Sequence, residues 1–100
     1  MINNNNAYFC RLFQRAFLFN IPKTVDFISF KITGNIIDLF VISKKQLSDQ
    51  ECEYIYSAIS EVEGDIVECI TFNTHFLIMD NLPKNLEQFG EVLFAFIEPA

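Results

Sequence analysis

The segment VDFISFKITGNIIDLFVIS, residues 25–43, limits what this chain can fold into more than any other stretch. Two runs rich in β-branched and aromatic residues flank Gly34-Asn35. Glycine reaches positive φ at little steric cost, so the pair predicts a two-residue hairpin turn. A turn there fixes the register: Thr33 faces Ile36, Ile32 faces Ile37, Lys31 faces Asp38, Phe30 faces Leu39 and Ile28 faces Val41. One face is then wholly apolar, made of Ile28, Phe30, Ile32, Ile37, Leu39 and Val41. The other carries the opposite charges Lys31 and Asp38. A slip of one residue would put charge on the core face, so pattern and turn select the same pairing. Phe27, Phe40 and Ile42 lie on the second face, which predicts a cover over that end.

Helical periodicity brackets the hairpin. Phe9, Phe13, Ala16 and Phe17 recur at helical spacing between Ala7 and Phe19, with Leu12 widening the stripe and Arg11, Gln14 and Arg15 off it. Asn3 to Asn6 supply an N-cap, and Pro22 ends the helix by pushing Ile21 out of helical geometry. A second helix opens at Ser48, where Ser48-Asp49-Gln50-Glu51 fits a capping box. Leu47 and Cys52 are placed to form a hydrophobic staple. Cys52, Ile55, Ala58, Ile59 and Val62 form its buried stripe, and Gly64 is placed to end it in the left-handed conformation.

The last third is less periodic. Residues 65–72 and 76–80 suit two strands around a turn at Asn73-Thr74-His75. Leu82 to Phe89 suits a short helix, with Pro83 in its first turn and Gly90 after it. The apolar run from Glu91 to Glu98 fits a central strand covered on both faces. Continuation of the preceding helix is the alternative, and Gly90 disfavours it. The order α-β-β-α-β-β-(α)-β, with short links between consecutive strands, predicts an α+β fold. Its helices pack on an antiparallel sheet of about five strands.

A chain of 100 residues fits a single domain spanning 1–100, and its 51% apolar content supplies a core. No run reaches the ~18 uncharged apolar residues of a membrane span. Arg11 and Arg15 interrupt the apolar part of the N-terminal stretch, which is a poor secretory signal. The expected location is the cytoplasm. Cys10, Cys52 and Cys69 are odd in number and lack metal-ligand spacing, so they read as small buried hydrophobes, with no disulfide framework or zinc site.

Catalytic equipment is sparse. His75 is the only histidine, and a couple with Cys69 is arithmetically possible without being selected by anything else. Glu51/Glu53, Glu61/Glu63/Asp65 and Glu87/Glu91 are paired acids, but Glu61-Val62-Glu63-Gly64-Asp65 lacks the ligand order of a calcium loop. Gly-rich phosphate loops, nucleophile elbows and zinc-protease motifs are missing from the sequence. The expectation is a binding protein, with no enzyme activity, cofactor or metal.

Charge is the remaining signal. Residues 1–45 carry six bases and two acids, whereas residues 46–100 carry eleven acids and only Lys84. Such a half repels phosphate, which argues against direct nucleic-acid binding, and attracts a basic protein. Within it, LSDQECEYIYSAISEVEGD (47–65) holds six acids and no base. Asp49 and Glu51 suit the positive end of the helix dipole; Glu61 and Glu63 sit at the negative end, where they oppose it. Glu53, Ser57 and Ser60 point away from the core. Tyr54 and Glu61 share one flank, and Tyr56 and Glu63 share the other. Glu53, Tyr54, Tyr56, Glu61, Glu63, Asp65 and Glu68 are therefore the candidate partner-binding residues, with the tyrosines as anchors.

In size, acidity, α+β pattern and lack of catalytic equipment, the chain resembles bacterial immunity proteins, including those of contact-dependent growth-inhibition systems. The resemblance implies a cytoplasmic inhibitor that docks on a cognate toxin, often a basic nuclease domain, and occludes its substrate groove. It assigns no individual site residue. A second reading is a structural or regulatory subunit, a homodimer joined through the Phe27/Phe40/Ile42 patch or through a sheet edge.

Overall fold

The computed structural model describes residues 6–17, 21–64, 66, 70–79 and 89–95. Helix α1 spans Asn6–Phe17, strands β1 and β2 span Val25–Thr33 and Ile36–Ser43, and helix α2 spans Asp49–Gly64. Strands β3 (Thr71–Ile78) and β4 (Glu91–Ala95) follow. The four strands form one sheet in the order β3-β2-β1-β4.

The hairpin takes the register its sequence dictates. Every pair from Thr33↔Ile36 through Ile28↔Val41 is formed, and Gly34 turns with φ +60°. A bulge between Val25 and Phe27 then pairs Val25 with Ser43. The extra residue moves Val25 from the face of Phe27 to the face of Ile28, where it joins the main core.

That core lies between the helices and the apolar hairpin face. Phe9, Leu12, Phe13, Ala16 and Phe17 of α1 and Ile55, Ala58, Ile59 and Val62 of α2 pack with Ile28, Phe30, Ile37, Leu39 and Val41. Phe13 is the pivot, its ring centroid 5.1 Å from that of Phe30 on β1 and 6.2 Å from that of Phe72 on β3. The second sheet face carries a smaller cluster. Phe27 and Ile42 are fully buried there with Phe89, and Phe40, Leu77 and Met79 pack alongside. The expected cover over Phe27 thus exists, and Phe89 is part of it.

Helix α2 starts as its capping box requires. The Ser48 Oγ accepts from the Glu51 amide at 3.2 Å, and Glu51 Oε1 accepts from the Ser48 amide at 2.9 Å. Leu47 and Cys52 both pack into the main core, as a staple would place them. The other end differs from expectation. Gly64 remains helical and does not adopt positive φ; the Ile66 amide instead donates to the Glu63 carbonyl at 3.2 Å.

The last third of the fold corrects the sequence reading in three ways. Asn73-Thr74-His75 is no turn, because β3 runs straight through it as one eight-residue strand. That strand pairs with β2 in parallel, from Ile36↔Thr71 to Ser43↔Ile78 without a register shift. Helix α2 serves as the crossover that a parallel neighbour needs. The described sheet therefore has four strands and is mixed, not antiparallel with about five. Finally, Glu91–Ala95 is a strand, but it lies at the edge beside β1 and not in the centre. The short helix expected over 82–89 and the end of the run at 96–98 lie outside the described residues, except for Phe89, which has 3-10 helical geometry.

Candidate functional site

Helix α2 presents its acids where the wheel puts them. Ile55, Ala58, Ile59 and Val62 are buried, while Glu53, Tyr54, Tyr56, Ser57, Ser60, Glu61 and Glu63 are exposed. Asp65 and Glu68, the other two candidate residues, lie outside the described residues. The helix has no basic residue in its last turn, so nothing on it offsets Glu61 and Glu63.

The two tyrosines have different surroundings. Tyr56 is 52% exposed yet leans on β3, its ring 5.8 Å from that of Phe76 and nearly perpendicular to it. Spacings of three and four residues put Asp49, Glu53, Tyr56, Ser60 and Glu63 along this β3-facing flank. Tyr54 is 44% exposed on the opposite flank, where its hydroxyl meets the Gln50 side chain at 3.4 Å. Residues 50, 54, 57 and 61 follow that second line. The acidic surface therefore comprises two stripes, and only one is continuous with the sheet.

That continuity is the feature sequence reasoning missed. Reading residues 71–78 as two strands concealed their alternation, which places Phe72, Thr74, Phe76 and Ile78 on the helix side and Thr71, Asn73, His75 and Leu77 on the other. Ile78 is 59% exposed, the highest value among the large hydrophobic side chains described. A period of two read across the whole segment would have found this strand and its apolar side.

His75 is a strand residue and not part of a turn. Its Nε2 lies 2.9 Å from Asp38 Oδ1, and its ring stacks on Phe40 with centroids 5.0 Å apart and planes 19° from parallel. The register faces Asp38 with Lys31, as expected, but the carboxylate also reaches from β2 to His75 on β3. These contacts hold the imidazole against the sheet. Cys10 and Cys52 are free thiols, half-buried beside the core, and Cys69 lies outside the described residues. Among the described residues no group of three His, Cys, Asp or Glu side chains is placed to hold a metal ion. No helix among them is long and apolar enough to cross a membrane.

The expected apolar dimer patch is not available. Phe27 and Ile42 are fully buried under Phe89, which removes two of its three residues from the surface. A cleft of about 660 Å³ opens instead at the start of β1, lined by Ile21, Pro22 and Phe94 together with Lys23, Lys44, Lys45 and Asp26. Its three lysines outnumber its one carboxylate, Asp26, whereas α2 carries acids and no base.

Residues 7–97 fit the family model of the MafI2 immunity protein, a range that takes in all of α1 but its first residue, all of α2 and the four strands described here. No curated protein sequence shows significant similarity to the chain.

Proposed function

The chain belongs to the MafI2 immunity protein family, and from that premise we propose that it neutralises its cognate toxin by docking the acidic surface of α2. The family is non-catalytic, so a toxin-immunity protein of this kind works by binding. The proposal concerns which surface binds and what the surface meets. The site consists of Glu53, Tyr54, Tyr56, Glu61 and Glu63, continued in sequence by Asp65 and Glu68. The target is a basic domain, in the simplest case a nuclease whose phosphate-binding groove the carboxylates fill.

The position of Glu61 and Glu63 carries this reading. Both are exposed in the last turn of α2, where the helix dipole is negative and the helix has no basic residue to offset them. Each costs the isolated helix a few tenths of a kcal/mol, roughly, and the fold gains nothing described in return. A cation on a partner would reverse that sign. Exposed tyrosines on either side supply the large, rigid contacts that charged surfaces lack.

The test is a charge reversal. Glu61→Lys/Glu63→Lys should weaken binding to an inactivated cognate toxin domain by about tenfold or more at low salt, a gap that narrows as salt rises. Calorimetric titration at two ionic strengths reads both effects. Equal affinity for reversed and natural chains at low salt would remove the α2 surface from the proposal.

A further inference from the structure

The two edges of the sheet are built differently. Strand β4 has five residues, begins with Glu91 after a positive-φ Gly90, and pairs with β1 across a register shift. A short, charged, bulged strand is a poor template for another chain. Strand β3 is the opposite case. Its eight residues, TFNTHFLI, include no Lys, Arg, Asp, Glu, Pro or Gly, and its pairing with β2 has no bulge. Charge, proline, glycine and bulges, which blunt an exposed edge, are absent from it, and among the described residues no strand pairs with its outer side.

The ladder identifies the groups left open. The Thr71 amide donates to Asn35 O and the Met79 amide to Ser43 O, each at 2.9 Å. Odd-numbered residues of β3 therefore turn their main chain towards β2. Strand alternation directs the N–H and C=O groups of Phe72, Thr74, Phe76 and Ile78 to the outer edge. Those residues also place their side chains on the helix side, where Phe76 meets Tyr56 and Ile78 is exposed.

We infer that the outer edge of β3 is a docking strand, and that its occupant is an extended, basic segment of the toxin added to the sheet as a fifth strand. The inference rests on the acidic surface proposed above. An added strand would put alternate side chains beside Tyr56 and the Asp49, Glu53 and Glu63 flank, so Lys or Arg there would be matched. A second copy is the poorer occupant. Antiparallel pairing of two β3 edges brings both acidic flanks to the same side of one joint sheet, on chains of net charge −6. Main-chain bonding supplies affinity in this mode, and the flanking side chains supply selectivity.

Amide hydrogen exchange tests this without mutation. In the free protein, Asn73, His75 and Leu77 should exchange slowly and Phe72, Thr74, Phe76 and Ile78 fast. Adding the cognate toxin domain, made with an inactivating substitution, should slow the second set. Unchanged exchange of that set in the saturated complex would overturn the inference. Slow exchange that grows with protein concentration and without toxin would overturn it too, by identifying a second copy as the occupant. Thr74→Pro gives an independent measure, because it removes an outward N–H and leaves the β2 ladder intact. It should weaken toxin binding by about tenfold with little dependence on salt. Natural affinity in Thr74→Pro combined with a loss in Glu61→Lys/Glu63→Lys would sink the edge alone and leave the acidic surface standing. The converse pair of results would keep an extended toxin segment on the edge and sink the acidic surface, and with it the basic character given to that segment.

Discussion

Tyr56 and Phe76 join the outer surface of α2 to the edge of the sheet, their ring centroids 5.8 Å apart and their planes 78° from parallel. Neither ring is buried, so each is partly shielded by the other. A perpendicular aromatic pair contributes on the order of 1 kcal/mol beyond its buried area. Tyr56→Ala should therefore lower unfolding free energy by about 1 kcal/mol. Tyr54→Ala, which loses only a long hydrogen bond to Gln50, should change it by less than ~0.5 kcal/mol. Chemical denaturation of the two variants separates them. A larger loss in Tyr54→Ala than in Tyr56→Ala would contradict the assignment of Tyr56 as the bridging ring.

The exposed acids at the end of α2 give a prediction of opposite sign for folding and binding. Glu61→Gln/Glu63→Gln should stabilise the free protein by a few tenths of a kcal/mol, roughly, per residue, because each removes an unfavourable charge–dipole interaction. The same variant should bind toxin less tightly. Paired thermal melts and titrations check the signs. A variant that is both less stable and unchanged in affinity would show that these carboxylates serve the fold.

The capping box makes stability depend on acid. The Glu51 carboxyl is held below its ordinary pKa, first by the Ser48 backbone amide and then by the Thr24 side chain. Its folded pKa thus lies below its unfolded one. The resulting stabilisation is complete above the unfolded value and disappears as pH falls through the lowered folded value. Glu51→Gln should be less stable than the natural chain near neutrality and converge with it in strong acid. Ser48→Ala, which removes the reciprocal bond, should cost about 1 kcal/mol at any pH in between. Melting temperature measured against pH for all three chains reads the convergence.

These residues also show why parts of the fold were legible in the sequence. Gly34 fixed a turn, the turn fixed a register, and the alternation of Ile28, Phe30, Ile37 and Leu39 confirmed it independently. Ser48 and Glu51 marked the start of α2 through side-chain bonds three residues apart. Such signals are local, and local physics decides them. Strand β3 was not legible in this way. Asn73, Thr74 and His75 have the composition of a turn, and what keeps them extended is the ladder to β2, more than thirty residues away in sequence. His75 is held by Asp38 and Phe40, which no local pattern connects to it. The exposed acids and tyrosines of α2 were legible from the helical wheel. Their continuity with a sheet edge depended on that nonlocal pairing.

Gly90 marks a second long-range constraint. It holds φ at +85°, and a Cβ there would come within 2.2 Å of the Phe30 carbonyl oxygen and 3.1 Å of Lys31 Cβ. Backbone on β1 would have to move to admit it. Gly90→Ala should cost more than ~2 kcal/mol through combined strain and clash. Gly34 has φ +60° but open space around it, so Gly34→Ala should cost only the conformational term of about 1 kcal/mol. Equal losses at the two positions would show that conformation alone sets the cost and that β4 does not depend on the close approach to Phe30.

Ser29 yields a prediction in the other direction. It is fully buried on the second sheet face, paired with Phe40 on β2 and Val92 on β4, and its Oγ has no hydrogen-bond partner among the described residues. A buried hydroxyl without a partner costs about 1–3 kcal/mol in lost hydration. Ser29→Ala removes that cost and leaves a void only one oxygen in size. The variant should be as stable as the natural chain or more stable, by up to ~2 kcal/mol. Ser29→Val adds bulk between β2 and β4 and should lose stability, since the neighbouring side chains are close-packed. Denaturant titration of both variants decides the point. A loss above ~1 kcal/mol in Ser29→Ala would mean that the hydroxyl is satisfied in solution, by a buried water or a nearby main-chain group, and that the second face contains a polar contact.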